Sequence, residues 1–266
     1  MPLTLSHPAA IVPFARQKLV LSALVIGSLS PDFPYFITLA PRGEFGHTPA
    51  GVFLLCLPLG LLTLWIFQRL MKWPILSLLP QEWQARLARP ARDFTFRPIS
   101  RQLLIMISLL IGAATHLCWD GFTHRDGWAV NWLPSLTYPA MDLGSRSIPV
   151  YQLLQHSSTV IGGMVLLLCA WHWMRKASRE EVNERLQQSV RSKCFWWILI
   201  LAGAVILGSL SSWWKVRQLN NHRELSVWLG CFVVGVLSGL FVELVLFGLY
   251  WYWRHCTQAT DWRNVS

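Results

Sequence analysis

The chain has 266 residues, of which 53% are hydrophobic and 14% charged, with 16 tryptophans and a net charge of +10. Its mean hydropathy is +0.40, and a charged share well below the usual ~25% leaves too little polar surface to cover a water-soluble globule of this size. These figures exclude a disordered chain, a disulfide-rich secreted scaffold and a nucleic-acid-binding domain, and point to a lipid bilayer as the solvent.

In chain order, the first apolar run covers residues 18–29, about a dozen positions before Ser30, Pro31 and Asp32 interrupt it. That length predicts a half-inserted or re-entrant helix rather than a full crossing. Arg16, Lys18, Ser28 and Ser30 weakly imitate a signal peptide, but such a leader is unusually long and Pro31 follows its cut site, so the segment is expected to be retained. Five later stretches, residues 50–70, 102–122, 152–174, 194–214 and 225–253, are apolar over the roughly 20 residues a spanning helix needs. The predicted fold is an all-α polytopic integral membrane helical bundle, five full spans plus the short N-terminal apolar helix. Residues 1–175 read as a membrane-embedded region holding a His/Asp cluster, and 176–266 as a basic loop with two C-terminal spans.

Basic residues alternate between connections. Residues 69–101 carry seven, 175–193 six, and the tail adds Arg254 and Arg263, fifteen against six on the other side (Arg42, Arg125, Arg146, Lys215, Arg217, Arg223). The richer side is expected to be the cytoplasmic face of a bacterial inner membrane, with the C-terminus on it and residues 123–151 and 215–224 facing outward. Tryptophan pairs such as Trp171/Trp173 and Trp213/Trp214 mark the interfaces. The +10 charge then sets orientation beside anionic headgroups, and neither aromatic-basic interleaving nor a glycine-rich phosphate loop points to nucleic acid. The stretch from Pro74 to Pro98 is the only candidate linker. Within 175–193, Arg179, Glu180, Glu181, Glu184 and Arg185 suggest a short solvated helix with paired charges. Cys56, Cys118, Cys169, Cys194, Cys231 and Cys256 form no CxxC and read as buried apolar filler.

Polar residues at membrane depth are costly and tend to be functional, which makes the eight histidines informative. His116, Asp120 and His124 recur every four residues at the outer end of the second span. On a helix they fall near one face, where imidazole and carboxylate can converge on one divalent cation. A polar, water-facing helix end is the alternative, since Gly121 and Gly127 suggest that the helix stops nearby. His47 precedes the first span, His156 begins the third, Asp32 follows the short helix and His7 precedes it. His7 joins the same side only if that helix enters and returns. His172, His222 and His255 read as interfacial. Glu243 lies inside the last span, where a hydrogen bond to Ser209 or Ser211 competes with a functional role.

The segments Thr4-Leu5-Ser6-His7-Pro8, Gly27-Ser28-Leu29-Ser30-Pro31-Asp32-Phe33, Gly46-His47-Thr48, His116-Leu117-Cys118-Trp119-Asp120-Gly121-Phe122-Thr123-His124 and Gln155-His156-Ser157-Ser158 resemble a bacterial membrane family catalogued as the domain of unknown function four-one-eight-four, over most of residues 1–175. More distantly, the order His, Pro-Asp, His, HxxxD, His is similar to that of membrane-bound metal-dependent hydrolases and of zinc-dependent phospholipase C. That likeness implies a multinuclear site. Asp32, His47, His116 and Asp120 would form its best-supported part, with His7 at a second ion through bridging Asp120, and His124 and His156 at a third. The phospholipase pattern places Glu shortly after its late His, whereas His156 is followed by Ser157, Ser158, Thr159 and Val160.

Such a ligand set suits zinc, or manganese or iron. Divalent ions there would activate water and clamp phosphodiester oxygens. Glu44 and Asp126, close in sequence to His47 and His124, are expected to orient a ligand or assist proton transfer beside Asp120. The expected activity is metal-dependent hydrolysis of a phosphoester or lipid headgroup at the outer face, with the bilayer itself as partner. The alternatives are a non-catalytic membrane protein with a structural or ion-handling metal site, and a membrane scaffold without metal. Oligomeric state has no signature.

Overall fold

A chain this apolar has to satisfy its backbone polar groups within each segment, and helices do so. The computed structural model describes residues 4–41, 43–144, 146–217 and 224–256; Arg42, His222, Arg223 and Arg263, assigned above to a side or an interface, lie outside the described residues. A 3-10 segment, Thr4–Phe14, is followed by helices α1 (Leu21–Leu29) and α2 (Phe33–Thr38). The helical run Pro49–Leu78, here α3, contains π turns at Val52–Cys56 and Phe67–Met71. Next come α4 (Gln81–Arg92), α5 (Ile99–Thr123) and α6 (Trp128–Trp132). An antiparallel hairpin of β1 (Pro139–Leu143) and β2 (Arg146–Pro149) precedes α7 (Val150–Lys176), α8 (Val190–Arg217) and α9 (Glu224–Cys256).

Five helices, α3, α5, α7, α8 and the Val227–His255 part of α9, are long and apolar enough to cross a membrane. The nine residues of α1 rise only about 14 Å, half of a bilayer core. The chain is thus a multi-pass helical membrane protein. Along α8, Ile198, Ile206 and Leu210 are 68%, 57% and 57% exposed, an apolar surface suited to lipid and not to water.

The chain divides into two compact units. The first comprises Met1–Phe33, Glu44–Leu62 and Phe96–Arg175, and the second Pro34–Gly43, Thr63–Thr95 and Lys176–Ser266. In the first, α1 packs along α5, and the 3-10 segment lies against both. In the second, α8 buries Ala204, Gly208 and Ser212, one residue per turn, against Gly235 and Gly239 of α9. Small residues at four-residue spacing let the two backbones approach, the usual solution where lipid removes any hydrophobic drive for helix pairing. Leu76, Leu78, Leu186, Ile200, Phe247 and Trp251 form this unit's core.

Several details depart from expectation. The first span runs on to Leu78, through Arg69, Lys72 and Pro74, instead of stopping near residue 70. Pro74 cannot bond the Leu70 carbonyl; the π turn absorbs the mismatch, and Gly248 of α9 packs directly on that carbonyl. The stretch from Pro74 to Pro98 contains α4 rather than a linker. Its Gln84 side chain is fully buried, the Nε2 group donating to the carbonyls of Ser77, Leu79 and Leu186 at 3.2, 3.0 and 3.3 Å. Between the end of α7 at Lys176 and the start of α8 at Val190 the connection forms only a 3-10 turn, Glu184–Leu186, and Arg179 and Glu180 pair with α4 instead of with their neighbours. Arg179 meets Glu82 at 3.0 Å, Arg92 pairs with Glu180, and Arg86 donates to the Ala177 carbonyl at 3.1 Å.

Cys56 and Cys231 are buried, but Cys118, Cys169 and Cys194 are exposed, since helical phase turns them outward and a thiol is apolar enough for lipid. The hydroxyls of Ser209 and Ser211 donate to carbonyls of their own helix, Val205 at 2.8 Å and Gly208 at 3.0 Å. Glu243 instead packs over the space that Gly203 leaves.

Candidate metal centre

Because α1 ends at Leu29, the carbonyls of its last turn take partners beyond the helix body: Gly27 accepts from the Ser30 amide and hydroxyl, and Ser28 from a side chain. Two glycines bring one of them to α5. A Cβ on Gly27 would strike the Leu109 backbone, and one on Gly112 would strike the Leu24 carbonyl and come within 2.7 Å of the Ser28 nitrogen. With both absent, His116, one turn beyond Gly112, donates from Nδ1 to the Ser28 carbonyl at 2.7 Å. This bond fixes the tautomer, and the Nε2 lone pair faces away from it. Nε2 is buried without a hydrogen bond, and it lies 3.1 Å from Asp120 Oδ2 and 3.7 Å from Asp32 Oδ1.

His7 repeats the arrangement from the 3-10 segment. Its Nδ1 lies 3.2 Å from the Thr4 carbonyl and its Nε2 lies 3.0 Å from Asp120 Oδ1. The two rings stack with centroids 3.8 Å apart, 13° from parallel. Both are buried, at 1% and 0% exposure. His47 arrives through Gly46, where a Cβ would strike the Pro31 carbonyl. Its Nε2 sits 3.4 Å from both Asp32 Oδ1 and Asp120 Oδ2. His124 caps α5 in an extended conformation, its amide donating to the Asp120 carbonyl at 3.0 Å, and this turn swings Nδ1 to 3.3 Å from Asp120 Oδ1.

Asp120 is thereby the hub, with His7 and His124 at Oδ1 and His47 and His116 at Oδ2. Asp32 completes the Oδ2 side and is itself held at Oδ2 by the Thr4 hydroxyl at 2.6 Å. Ligand-type atoms of His7, Asp32 and His116, and separately of His47, His116 and Asp120, lie within 4.8 Å of one another, close enough to share an ion. Burial opposes ionisation of Asp32, but the His47 hydrogen bond, the His116 ring and the Thr4 hydroxyl together hold its carboxyl below the usual range. Burial likewise works against charge on His47. Its bonds to Asp120 and Asp32 outweigh that and raise it to about 9.

The structure therefore brings together His7, Asp32, His47, His116, Asp120 and His124. His7, before α1, bonds Asp120, and Asp32, after it, meets His47 and His116 in the same cluster, so the chain leaves this end of the unit and returns to it. His156 is not in the cluster. Helix α7 starts at Val150, and its phase buries Gln155 and leaves His156 exposed. The carboxylates of Glu44 and Asp126 are also exposed, and neither is in contact with the cluster. Sequence reasoning missed Thr4, the Ser28 carbonyl and Trp119. The last donates to Ser158 Oγ at 3.2 Å, with its ring centroid 6.2 Å from that of His7. A hydroxyl three residues before a histidine was a weak signal for Thr4; a backbone carbonyl has none.

The helices and the cluster define a polytopic membrane protein with a buried His/Asp centre. The chain belongs to the family described as a domain of unknown function (DUF4184), which matches residues 1–249 and so extends past the first three spans. No curated protein and no solved structure matches it.

Proposed function

We propose that the cluster is a divalent-metal centre, of zinc type, and that the protein is an integral-membrane hydrolase of phosphoesters or lipid headgroups. The observation that carries this is the tautomer of His116. Its Nδ1 proton is committed to Ser28, so Nε2, buried, is the ring atom left facing two carboxylates, a position that a divalent cation would fill. Such an Nδ1-to-carbonyl bond is how metal-binding histidines are usually held. Charge agrees. Asp32 and Asp120 contribute two negative charges, and His47 as imidazolium one positive; a single divalent ion displacing that proton neutralises the pair.

A divalent ion there supplies Lewis acidity and lowers the pKa of water. The chain's own residues do the rest. Asp120 spaces the two pairs of imidazoles, Thr4 fixes Asp32, and the stacked rings of His7 and His116 close the buried side. His47 and His124, with side chains 24% and 30% exposed, face the side from which water and substrate enter. We place the centre at the outer face of a bacterial inner membrane with the C-terminus cytoplasmic, on the balance of fifteen basic residues against six. The exposed positions of Glu44 and Asp126 favour a second reading, a metal site with a structural or ion-handling role.

Elemental analysis of purified protein tests the proposal. Bound zinc, manganese or iron is expected in the wild type and lost in His116→Ala and Asp120→Ala; equally low metal in all three would sink it. A phosphodiesterase and phospholipase screen with added zinc or manganese then separates enzyme from structural site.

A further inference from the structure

The second unit holds a cavity of about 290 Å³ where the N-terminus of α8 meets the C-terminus of α9. Its rim carries Arg185, Arg254 and His255, and among the described residues no aspartate or glutamate lines it. Its floor is aromatic. Trp196 packs on Phe247 and on Tyr250, each with ring centroids 4.9 Å apart. The walls are fixed by hydrogen bonds. The Gln188 amide donates to Ser77 Oγ at 2.9 Å and accepts from Ser192 Oγ at 2.9 Å. Ser189 Oγ accepts the Ser192 amide at 3.2 Å, as the cap of α8, so its hydroxyl proton is available to a ligand. His255 donates Nδ1 to the Trp251 carbonyl at 2.7 Å and tilts over that ring at 4.3 Å.

We infer that this cavity binds the phosphodiester headgroup of an anionic phospholipid. Two guanidinium groups match the oxygens of a phosphate, and the start of a long helix adds a positive dipole end. The aromatic floor suits the glycerol and first methylenes, at the level where tryptophan and tyrosine settle in a bilayer. The volume lies at the lower end for small-molecule pockets and admits a headgroup more readily than a nucleotide. Basic pockets between spanning helices are where anionic headgroups dock. The site belongs to the second unit and is independent of the metal centre.

Native mass spectrometry of the full chain in detergent, with short-chain phosphatidylglycerol or phosphatidylcholine, tests this. One phosphatidylglycerol per chain is expected, bound at least tenfold more tightly than phosphatidylcholine. Arg185→Gln with Arg254→Gln weakens it about thirtyfold, roughly fivefold per arginine, and Arg185→Lys with Arg254→Lys retains most of it. Arg175→Gln with Lys176→Gln removes the same charge outside the cavity and leaves binding unchanged. Equal binding of the two lipids, or equal losses in the two glutamine pairs, overturns the inference. So does full displacement by millimolar inorganic phosphate, which makes the free anion the ligand.

Discussion

His7 and His116 lie face to face, 3.8 Å between ring centroids, although 109 residues separate them in the chain. Each commits Nδ1 to a backbone carbonyl and points Nε2 at a different oxygen of Asp120. Held in this way, the two rings present both Nε2 atoms to one carboxylate, and a metal would take them as neutral imidazoles.

The division of Asp120 into two halves predicts a graded loss. Asp120→Asn keeps the shape but removes the shared charge, and metal affinity is expected to fall at least a hundredfold. His124→Ala touches only the Oδ1 side and the more exposed ligand. It lowers the metal-to-protein ratio while His47, His116 and Asp32 retain an ion. Titration with a chromophoric zinc indicator distinguishes the two. Identical losses in both variants would refute the two-sided arrangement.

The helix contact beneath the site predicts a sensitive glycine. Gly112→Ala forces α1 away from α5, costing about 1–3 kcal/mol for overpacking, and it lengthens the bond from His116 to the Ser28 carbonyl, so metal affinity falls as well. Gly163→Ala, where a Cβ meets nothing within 4 Å, leaves both unchanged. Thermal unfolding in detergent, with and without chelator, compares them. A Gly112→Ala protein with wild-type melting and metal content contradicts the account.

His47 gives the pH dependence. Its value of about 9 in the metal-free protein exceeds the ordinary 6.5 of an unfolded chain. Its contribution to stability is therefore full below about 6.5 and is lost as pH rises through about 9. Metal binding displaces the same proton, so metal affinity rises about tenfold per pH unit across that window and levels off above it. In His47→Ala the slope flattens, which metal titrations at several pH values can follow. A slope unchanged by the substitution would assign the proton elsewhere.

Gln84 is the structural counterpart in the second unit. One amide nitrogen serves three carbonyls; Gln84→Ala removes the donor from the Ser77 and Leu186 carbonyls, while the Leu79 carbonyl keeps the Lys193 ammonium at 2.6 Å. A loss of about 2–4 kcal/mol is expected, with metal content unaffected because the centre lies in the other unit. Denaturation and elemental analysis of one preparation settle both halves.

The spans were legible because twenty apolar residues in a row have one physical meaning, and their ends were less so. Arg69, Lys72 and Pro74 look like a terminus, yet a π turn carries the helix through them. The cluster was legible for a related reason: histidine and aspartate stand out in so apolar a chain. His156 misled because its neighbour Gln155 takes the inward position, a matter of helical phase set at Val150. Glu180 and Arg179 misled because their partners, Arg92 and Glu82, are nearly a hundred residues away, beyond any local pairing rule.

The bond from His116 to Ser28 ends on main chain. A substitution that fits the buried place of Ser28, such as Ser28→Ala, keeps the acceptor, since every amino acid carries the same carbonyl. What sustains the tautomer is the ending of α1 and the two missing methyl groups at Gly27 and Gly112. In descendants of this chain the donor geometry of the centre is therefore inherited through backbone shape, and it can be lost by a single methyl group added more than a helical turn from any ligand on α5.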